Sequence, residues 1–240
     1  MAAIPQEAAT VVLLREDLSP KGIQVYMMRR RGNLRFAPDH SVFPGGKLEP
    51  DDRSPEVLSR CAGISPREAA SLLSTHHTDH AGLGYWVAAI RELFEETGIL
   101  LCTPGLSAER RAQARAALHT HTLRWREFLQ RDNLTCEVSA LRYLARWITP
   151  SSEPLRYDTR FFVARLPAGQ DPCREIPGTE GETVAAEWMA PREALARWQR
   201  REMIMPPPTV TTLRYLTQFA TLEEAWENGV HGAAFDGVPV

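Results

Sequence analysis

Lysine is almost missing from this chain: Lys21 and Lys47 stand alone among 28 basic residues, so arginine carries nearly all the positive charge. The arginine fork suits bidentate contact with carboxylate or phosphate, although a GC-rich genome or thermal adaptation produces the same bias. The formal net charge is only -2, so a broad electrostatic footprint for nucleic acid is not expected. Long apolar runs are also missing. No stretch approaches the roughly 18 to 20 apolar residues of a membrane span, and the start MAAIPQEAAT lacks the basic and apolar parts of a secretory leader. These absences point to a cytoplasmic protein with neither membrane nor nucleic-acid partners. The four cysteines (Cys61, Cys102, Cys136, Cys173) contain no C-x-x-C pair, which argues against a zinc ribbon or thioredoxin-type site and leaves buried free thiols as the expectation. There is no G-x-S-x-G nucleophile elbow. His76, His77, Asp79 and His80 lie close together, but Gly82 and Gly84 follow and no Cys or Glu completes a ligand set nearby. His76 and His80 have the i,i+4 spacing that could chelate a metal, but a polar loop is the preferred reading, and the pair His119 and His121 is read the same way.

What is there suffices for one substantial core: 240 residues, 43% hydrophobic and 24% charged, read as a single domain over 1–240. Thr10 to Leu14 and Gln24 to Met28 are β-prone runs around Ser19-Pro20-Lys21-Gly22, a hairpin pattern. His40 to Phe43 is a third extended piece, leading into Pro44-Gly45-Gly46, where the glycines free the backbone. Ser65, Pro66 and Glu68 form a capping box that opens a short helix.

The most informative segment runs from Tyr85 to Gly98. Trp86, Ala89, Ile90, Leu93 and Thr97 form one helical stripe, a core face. Glu92, Glu95 and Glu96 share another face at i, i+3 and i+4, and Gly98 supplies a left-handed C-cap. Glu95 and Glu96 therefore sit near the negative end of the helix dipole. At an effective dielectric near 20 and about 5 Å, each carboxylate pair costs about 3 kcal/mol before screening. A solvated acidic face, relieved by water and by Arg91 pairing with Glu95, is the plain alternative. A Mg2+ site is the functional one, since Mg2+ takes a few carboxylates and completes its shell with waters and substrate phosphates. The upstream glycine loop then lets backbone approach those phosphates, and metal-activated water serves as nucleophile.

Gly46-Lys-Leu-Glu-Pro-Asp-Asp52 followed by Arg91-Glu-Leu-Phe-Glu-Glu-Thr-Gly-Ile99 resembles the Nudix box, a Gly, five residues, a Glu, seven residues and R-E-U-x-E-E-x-G-U with U aliphatic. The second half matches in full. Asp52 stands where the family usually has Glu, and residues 53 to 90 replace the usual seven, so the box is split by 38 positions. A longer surface loop adds only a slowly growing closure cost. The resemblance implies an α+β Nudix fold: an α/β/α sandwich with a mixed β-sheet, here with helical insertions at 53–84 and 105–132. It implies Mg2+ as cofactor, with Mn2+ as a substitute, held by Glu92, Glu95 and Glu96. Glu95 or Glu96 would also activate water, and Arg91 would orient the carboxylates through Asp52. Gly45, Gly46 and Lys47 would face the substrate.

Downstream, Arg142 to Ile148 and Arg160 to Arg165 read as strands, and Gly178 to Met189 resembles the late loop and strand of Nudix enzymes. There an additional Glu often reaches the metals or acts as base, which makes Glu182 a metal-ligand candidate and Glu187 a catalytic one. Pro191 to Trp198 is an amphipathic helix, and Leu213, Leu216 and Phe219 form a final stripe. Helical stretches at Ser107 to Leu118 and Thr122 to Gln130 would either cap the site or cover a sheet edge. The split box after V-F-P-G-G, the helical insertion and the late P-P-P-T segment resemble the peroxisomal coenzyme A diphosphatases and their bacterial relatives. The chain ends in Gly-Val-Pro-Val, not Ser-Lys-Leu. The expected activity is hydrolysis of a pyrophosphate bond in a nucleoside diphosphate linked to another group, such as coenzyme A or acyl-CoA, giving two monophosphates. A catalytically silent nucleotide sensor is the alternative. Dimers are common in the family, and no segment of the sequence identifies an interface.

Overall fold

A computed structural model describes residues 3–18, 21–32, 39–73, 79–173, 183–228 and 236–237. Strands β1 (Gln6–Leu18) and β2 (Lys21–Arg30) pair antiparallel as the expected hairpin, with Leu14 opposite Val25. Their far ends diverge. Into that fork run β3 (Ser41–Val42), paired with β2, and β4 (Gly45–Lys47), paired with β1. The glycine segment expected as a free loop is thus pinned to the sheet. A 3-10 turn follows at Pro50–Arg53, then α1 (Pro55–Leu58), β5 (Cys61–Ala62) and α2 (Pro66–Leu72). Ser65 caps α2 as its sequence demands: the Glu68 amide donates to its Oγ at 3.2 Å, and the Glu68 carboxylate accepts from the Ser65 amide at 2.7 Å.

The carboxylate-bearing helix, α3 (Asp79–Thr97), begins six residues earlier than Tyr85, so the insertion ends inside the helix and not before it. The reason is burial on every side. Leu83 and Tyr85 to Ile90 are all enclosed, because α2 covers the face that the stripe of Trp86, Ala89, Ile90 and Leu93 leaves free. After α3 come β6 (Cys102–Thr103), α4 (Ala108–His119), α5 (Trp125–Arg131) and β7 (Thr135–Glu137). The chain continues through β8 (Leu141–Ile148), β9 (Tyr157–Arg165), β10 (Thr183–Met189), α6 (Pro191–Gln199), α7 (Pro207–Leu216), α8 (Leu222–Asn228) and β11 (Asp236–Gly237).

The main sheet has the order β10-β2-β1-β9-β8-β11. It is mixed: β1 runs parallel to β9, while β8 and β9 are antiparallel. Alternating residues of β1 point to opposite layers. Ala9, Val11 and Leu13 pack with α3, α4 and α5, whereas Val12 and Leu14 pack with α6, α7 and α8. Both faces are buried, which is why this strand reads as a nearly continuous apolar run. The result is the α/β/α sandwich. Among the described residues no helix is long and apolar enough to cross a membrane.

A second, three-stranded sheet, β5-β7-β6, places Cys61, Cys136 and Cys102 in one cross-strand row, with the Cys102 and Cys136 Sγ atoms 3.7 Å apart. Sequence spacing hides this grouping, since each strand is only two or three residues long and comes from a different part of the chain. All four cysteines are free thiols; Cys102 and Cys136 are buried as expected, Cys61 is partly buried and Cys173 is exposed.

Leu93 is fully enclosed between sheet and helices. Leu93→Ala should therefore lower unfolding free energy by about 2–5 kcal/mol, as read by urea denaturation, while leaving the m-value unchanged.

Candidate active site

The site is organised by a buried cation. Arg91 on α3 is 2% exposed and Asp52, in the 3-10 turn, is fully buried. Nε of Arg91 donates to Asp52 Oδ1 at 3.0 Å and Nη2 to Oδ2 at 2.9 Å, a bidentate pair. Nη2 also donates to the Lys47 carbonyl at 2.8 Å, and Nη1 to Glu92 Oε1 at 2.9 Å and Glu95 Oε2 at 3.4 Å. Each of the five N–H groups of the guanidinium thus has an acceptor. Burial works against the charge, but Asp52, Glu92 and Glu95 outweigh it and hold Arg91 above its ordinary range. Asp52 is a short side chain, and the 3-10 turn supplies the missing reach: Pro50 opens the turn and the Glu49 amide steadies Asp52 Oδ2 at 2.8 Å.

The turn has its own anchor. Arg53 grips Glu7 of β1 with two contacts of 2.7 Å, and the Tyr85 hydroxyl donates to the same carboxylate at 2.7 Å. Burial first, then Glu7, raises the Tyr85 pKa, so the phenol keeps its proton.

Glu92, Glu95 and Glu96 occupy one helical turn, as their spacing requires. Glu92 and Glu95 lean toward Arg91, while Glu96 accepts the Gly45 amide at 2.8 Å. That bond joins the end of α3 to β4. A Cβ on Gly45 would meet the Ala9 carbonyl oxygen at 2.4 Å, and one on Gly46 would meet Glu92 Oε1 at 2.4 Å. Only glycine lets this strand lie so close to β1 and to the carboxylates. Burial raises the Glu95 pKa to about 7 despite Arg91, with Glu92 adding repulsion, and burial raises that of Glu92 also. One arginine does not neutralise this many carboxylates.

An all-oxygen set with surplus negative charge fits a hard divalent cation such as Mg2+. Among the described residues, no three His, Cys, Asp or Glu side chains are already gathered around one point.

Gly98, at φ +76°, ends α3. The carbonyls of its last turn face α4, where the Arg115 Nε donates to the Glu95 oxygen at 2.8 Å and Nη2 donates to the Glu96 oxygen. His119 Nε2 lies 2.7 Å from the same Glu95 oxygen, and a carbonyl only accepts, so Nε2 carries the proton. Burial lowers the His119 pKa. Sequence reading missed Arg115 and gave His119 no role. The available signal was a buried-type position on the amphipathic α4 occupied by arginine.

The structure brings together Arg91, Glu92, Glu95, Glu96, Gly45 and Gly46. It does not bring Lys47 and Glu187 to them. Gly46 faces Glu92, so strand alternation turns Lys47 away, and its ammonium sits 6.0 Å from the Tyr157 ring. Its carbonyl does take part, through Arg91. Glu187 lies opposite Met27 in the layer of α6 and pairs with Arg197 at 3.0 Å, so the sheet separates it from Glu92. Glu182, with His76 and His77, lies outside the described residues, as do the side chains of Asp79 and His80.

Comparison with known proteins identifies what the chain as a whole is similar to. The family model for the NUDT19 Nudix domain matches residues 5–216. Human acyl-coenzyme A diphosphatase NUDT19 is 29% identical over 240 residues, covering 85% of this chain and 63% of its own length. The Gallus gallus protein of the same name is 28% identical over 266 residues, covering 91% and 70%. This chain thus spans somewhat under two thirds of the human relative's length. Among solved structures, a NUDIX hydrolase from Alicyclobacillus acidocaldarius superposes with a TM-score of 0.70 at 28% identity, covering 93% of this chain and 96% of its own.

Removing Asp52 strands a buried guanidinium. Asp52→Ala should cost about 3–5 kcal/mol in chemical denaturation, and a loss below about 1 kcal/mol, ordinary for a surface pair, would show that the pair does not lock the site. The folded-state pKa of Glu95, about 7, exceeds its ordinary 4.5, so between those values the folded chain binds more protons and stability falls as pH rises. The upper bound is about 3.5 kcal/mol at roughly 1.4 kcal/mol per pH unit. With chelator present, Tm should decline from about pH 5 to about pH 7.5. Mg2+ or Glu95→Gln should flatten the slope, and an undiminished slope in Glu95→Gln would refute the assignment.

Proposed function

This chain belongs to the Nudix family, matching its NUDT19 branch over most of its length, and from that premise we propose that it is a Mg2+-dependent pyrophosphohydrolase. The substrate class is a nucleoside diphosphate joined to a second group, with coenzyme A or acyl-CoA first, and the products are two monophosphates. The reading rests on one observation: the buried Arg91–Asp52 pair presents Glu92, Glu95 and Glu96 beside the Gly45–Gly46 backbone. The names of the human and Gallus gallus relatives support the coenzyme A preference.

The three glutamates would hold Mg2+, or Mn2+ in its place. When bound, the ion would neutralise diphosphate charge and make water a competent nucleophile. The chain's own residues set the stage. Arg91 fixes the carboxylates through Asp52 and the Lys47 carbonyl, and it limits repulsion between Glu92 and Glu95. Gly45 and Gly46, lacking Cβ atoms, let β4 lie against β1 and Glu92 and so bring their backbone beside the carboxylates, where a diphosphate would bind. Glu95 and Glu96 stand side by side at the end of α3, one held by Arg91 and the other by the Gly45 amide. Glu95, or Glu96 next to it, takes the proton from the attacking water, and the displaced phosphate departs without a covalent intermediate.

Incubation of the purified protein with coenzyme A, acyl-CoA, ADP-ribose and NADH in 18O-water with Mg2+ tests this. Mass spectrometry should find one labelled monophosphate, with coenzyme A or its acyl form cleaved fastest. Glu95→Gln and Glu96→Gln should remain folded, and at least one should lose about 10²-fold or more in kcat. Tight binding without turnover by the wild type would instead indicate a silent sensor.

A further inference from the structure

We infer that Arg115 is a positioning residue for the hydrolysis proposed above, a reading on which this inference rests: by gripping the main chain of Glu95 and Glu96, it fixes where their carboxylates stand. Helix ends leave carbonyls without intrahelical partners. The Glu95 carbonyl would ordinarily accept from the Ile99 amide, and the Glu96 carbonyl from that of Leu100. Here Ile99 N donates to Thr97 Oγ1 at 3.2 Å, and Leu100 N to Gln170 Oε1 at 2.9 Å. Both carbonyls are therefore left to α4. Arg115 serves both with its Nε and Nη2, and His119, one turn later on the same face, adds a second donor to Glu95. The Phe94 carbonyl, one residue earlier, is already satisfied by Gly98 N at 2.8 Å. The grip thus falls on the main chain of two site residues.

Arg115 is nearly buried, and its remaining nitrogen, Nη1, reaches the Cys173 carbonyl at 3.5 Å. One guanidinium thereby spans the end of α3 and the segment after β9. Cys173 N in turn donates to the Thr97 carbonyl at 2.7 Å, and Gln170 Nε2 to the Leu100 carbonyl at 2.9 Å, so the two segments are joined on both sides of the arginine. A shift of α4 would move both glutamates together. Ordinary capping needs only a donor at the helix end. A positioning role predicts a loss of turnover and metal response in protein that is still folded.

The test compares wild type, Arg115→Met, His119→Ala and His119→Gln. It reads kcat and KM for coenzyme A, the Mg2+ concentration for half-maximal rate, and the Mg2+-induced rise in Tm. Arg115→Met should lower kcat by about 10²-fold, the scale of an ångström-sized misplacement. KM should change by less than about threefold, as befits an interaction that acts on the transition state. The Mg2+-induced Tm rise should shrink. His119→Gln should recover most of the kcat that His119→Ala loses, since the amide donates as the imidazole does, and this pair decides the matter if Arg115→Met does not fold. Folded variants with wild-type kcat and Mg2+ response overturn the inference while leaving the proposed function intact. A fall in Tm alone, with kcat per folded enzyme unchanged, reduces Arg115 to a cap and overturns it also. Wild-type inactivity toward every diphosphate removes both.

Discussion

Everything at this site depends on one charged contact out of water, the bidentate pair between Arg91 and Asp52. A buried ion pair contributes little net stability on average, because desolvation cancels much of the attraction. Its effect here is geometric. Arg91 has no unused donor, so its position is set simultaneously by the 3-10 turn, by the Lys47 carbonyl on β4 and by two glutamates of its own helix. The turn, the strand and the helix cannot move independently. A charge that is costly to bury therefore defines where α3 meets the sheet, and through α3 where the carboxylates lie.

The same helix runs against local electrostatics at its other end. Glu95 and Glu96 lie in the last turn, where the dipole is negative and anions are disfavoured. Three features offset this. Arg91 contacts Glu95 from within the helix, the Gly45 amide contacts Glu96 from the sheet, and Arg115 places a positive charge directly on the terminal carbonyls. A cation at a helix C-terminus contributes about 0.3–1 kcal/mol, and up to about 2 kcal/mol when partly buried. That is less than the repulsion of one close carboxylate pair, about 3 kcal/mol at an effective dielectric near 20. Burial first, and then repulsion from neighbouring carboxylates, raises the pKa values of Glu92 and Glu95 against the pull of Arg91. The protein holds a charge arrangement that it does not fully neutralise, and a divalent cation is the natural complement.

Local patterns were legible wherever one segment contained the whole pattern. The β1–β2 hairpin, the Ser65 cap, the core stripe of α3 and the Gly98 stop all follow from neighbours within a few residues, and the structure has them. So were the three glutamates with Arg91. Features assembled from remote segments were not legible. Arg115 meets Glu95 across 20 positions, and Cys61, Cys136 and Cys102 come into register only after three short strands pair. The face of Glu187 was set by its register against Met27, which a single strand does not reveal. The early start of α3 was hidden for the same reason, since the apolar face of Leu83 to Ala88 is covered by an insertion whose docking the periodicity cannot show.

That docking also explains why a box interrupted by 38 residues still assembles. If the insertion were a flexible loop, lengthening it from seven to 38 residues would add about 1.5 kcal/mol of closure entropy, since the cost grows only as (3/2)RT ln n. Burial of Val57, Ala69 and Leu73 against α3 acts in the opposite direction. A single enclosed Val or Leu contributes about 1.5–3 kcal/mol, so the burial of two such side chains is larger than that closure term. The insertion does more than span the gap between Asp52 and Arg91. It covers the N-terminal half of the helix, and with Arg53 and Tyr85 both bound to Glu7 it fastens the turn that carries Asp52 to β1. The segment that interrupts the motif therefore takes part in supporting the one ion pair on which the motif depends.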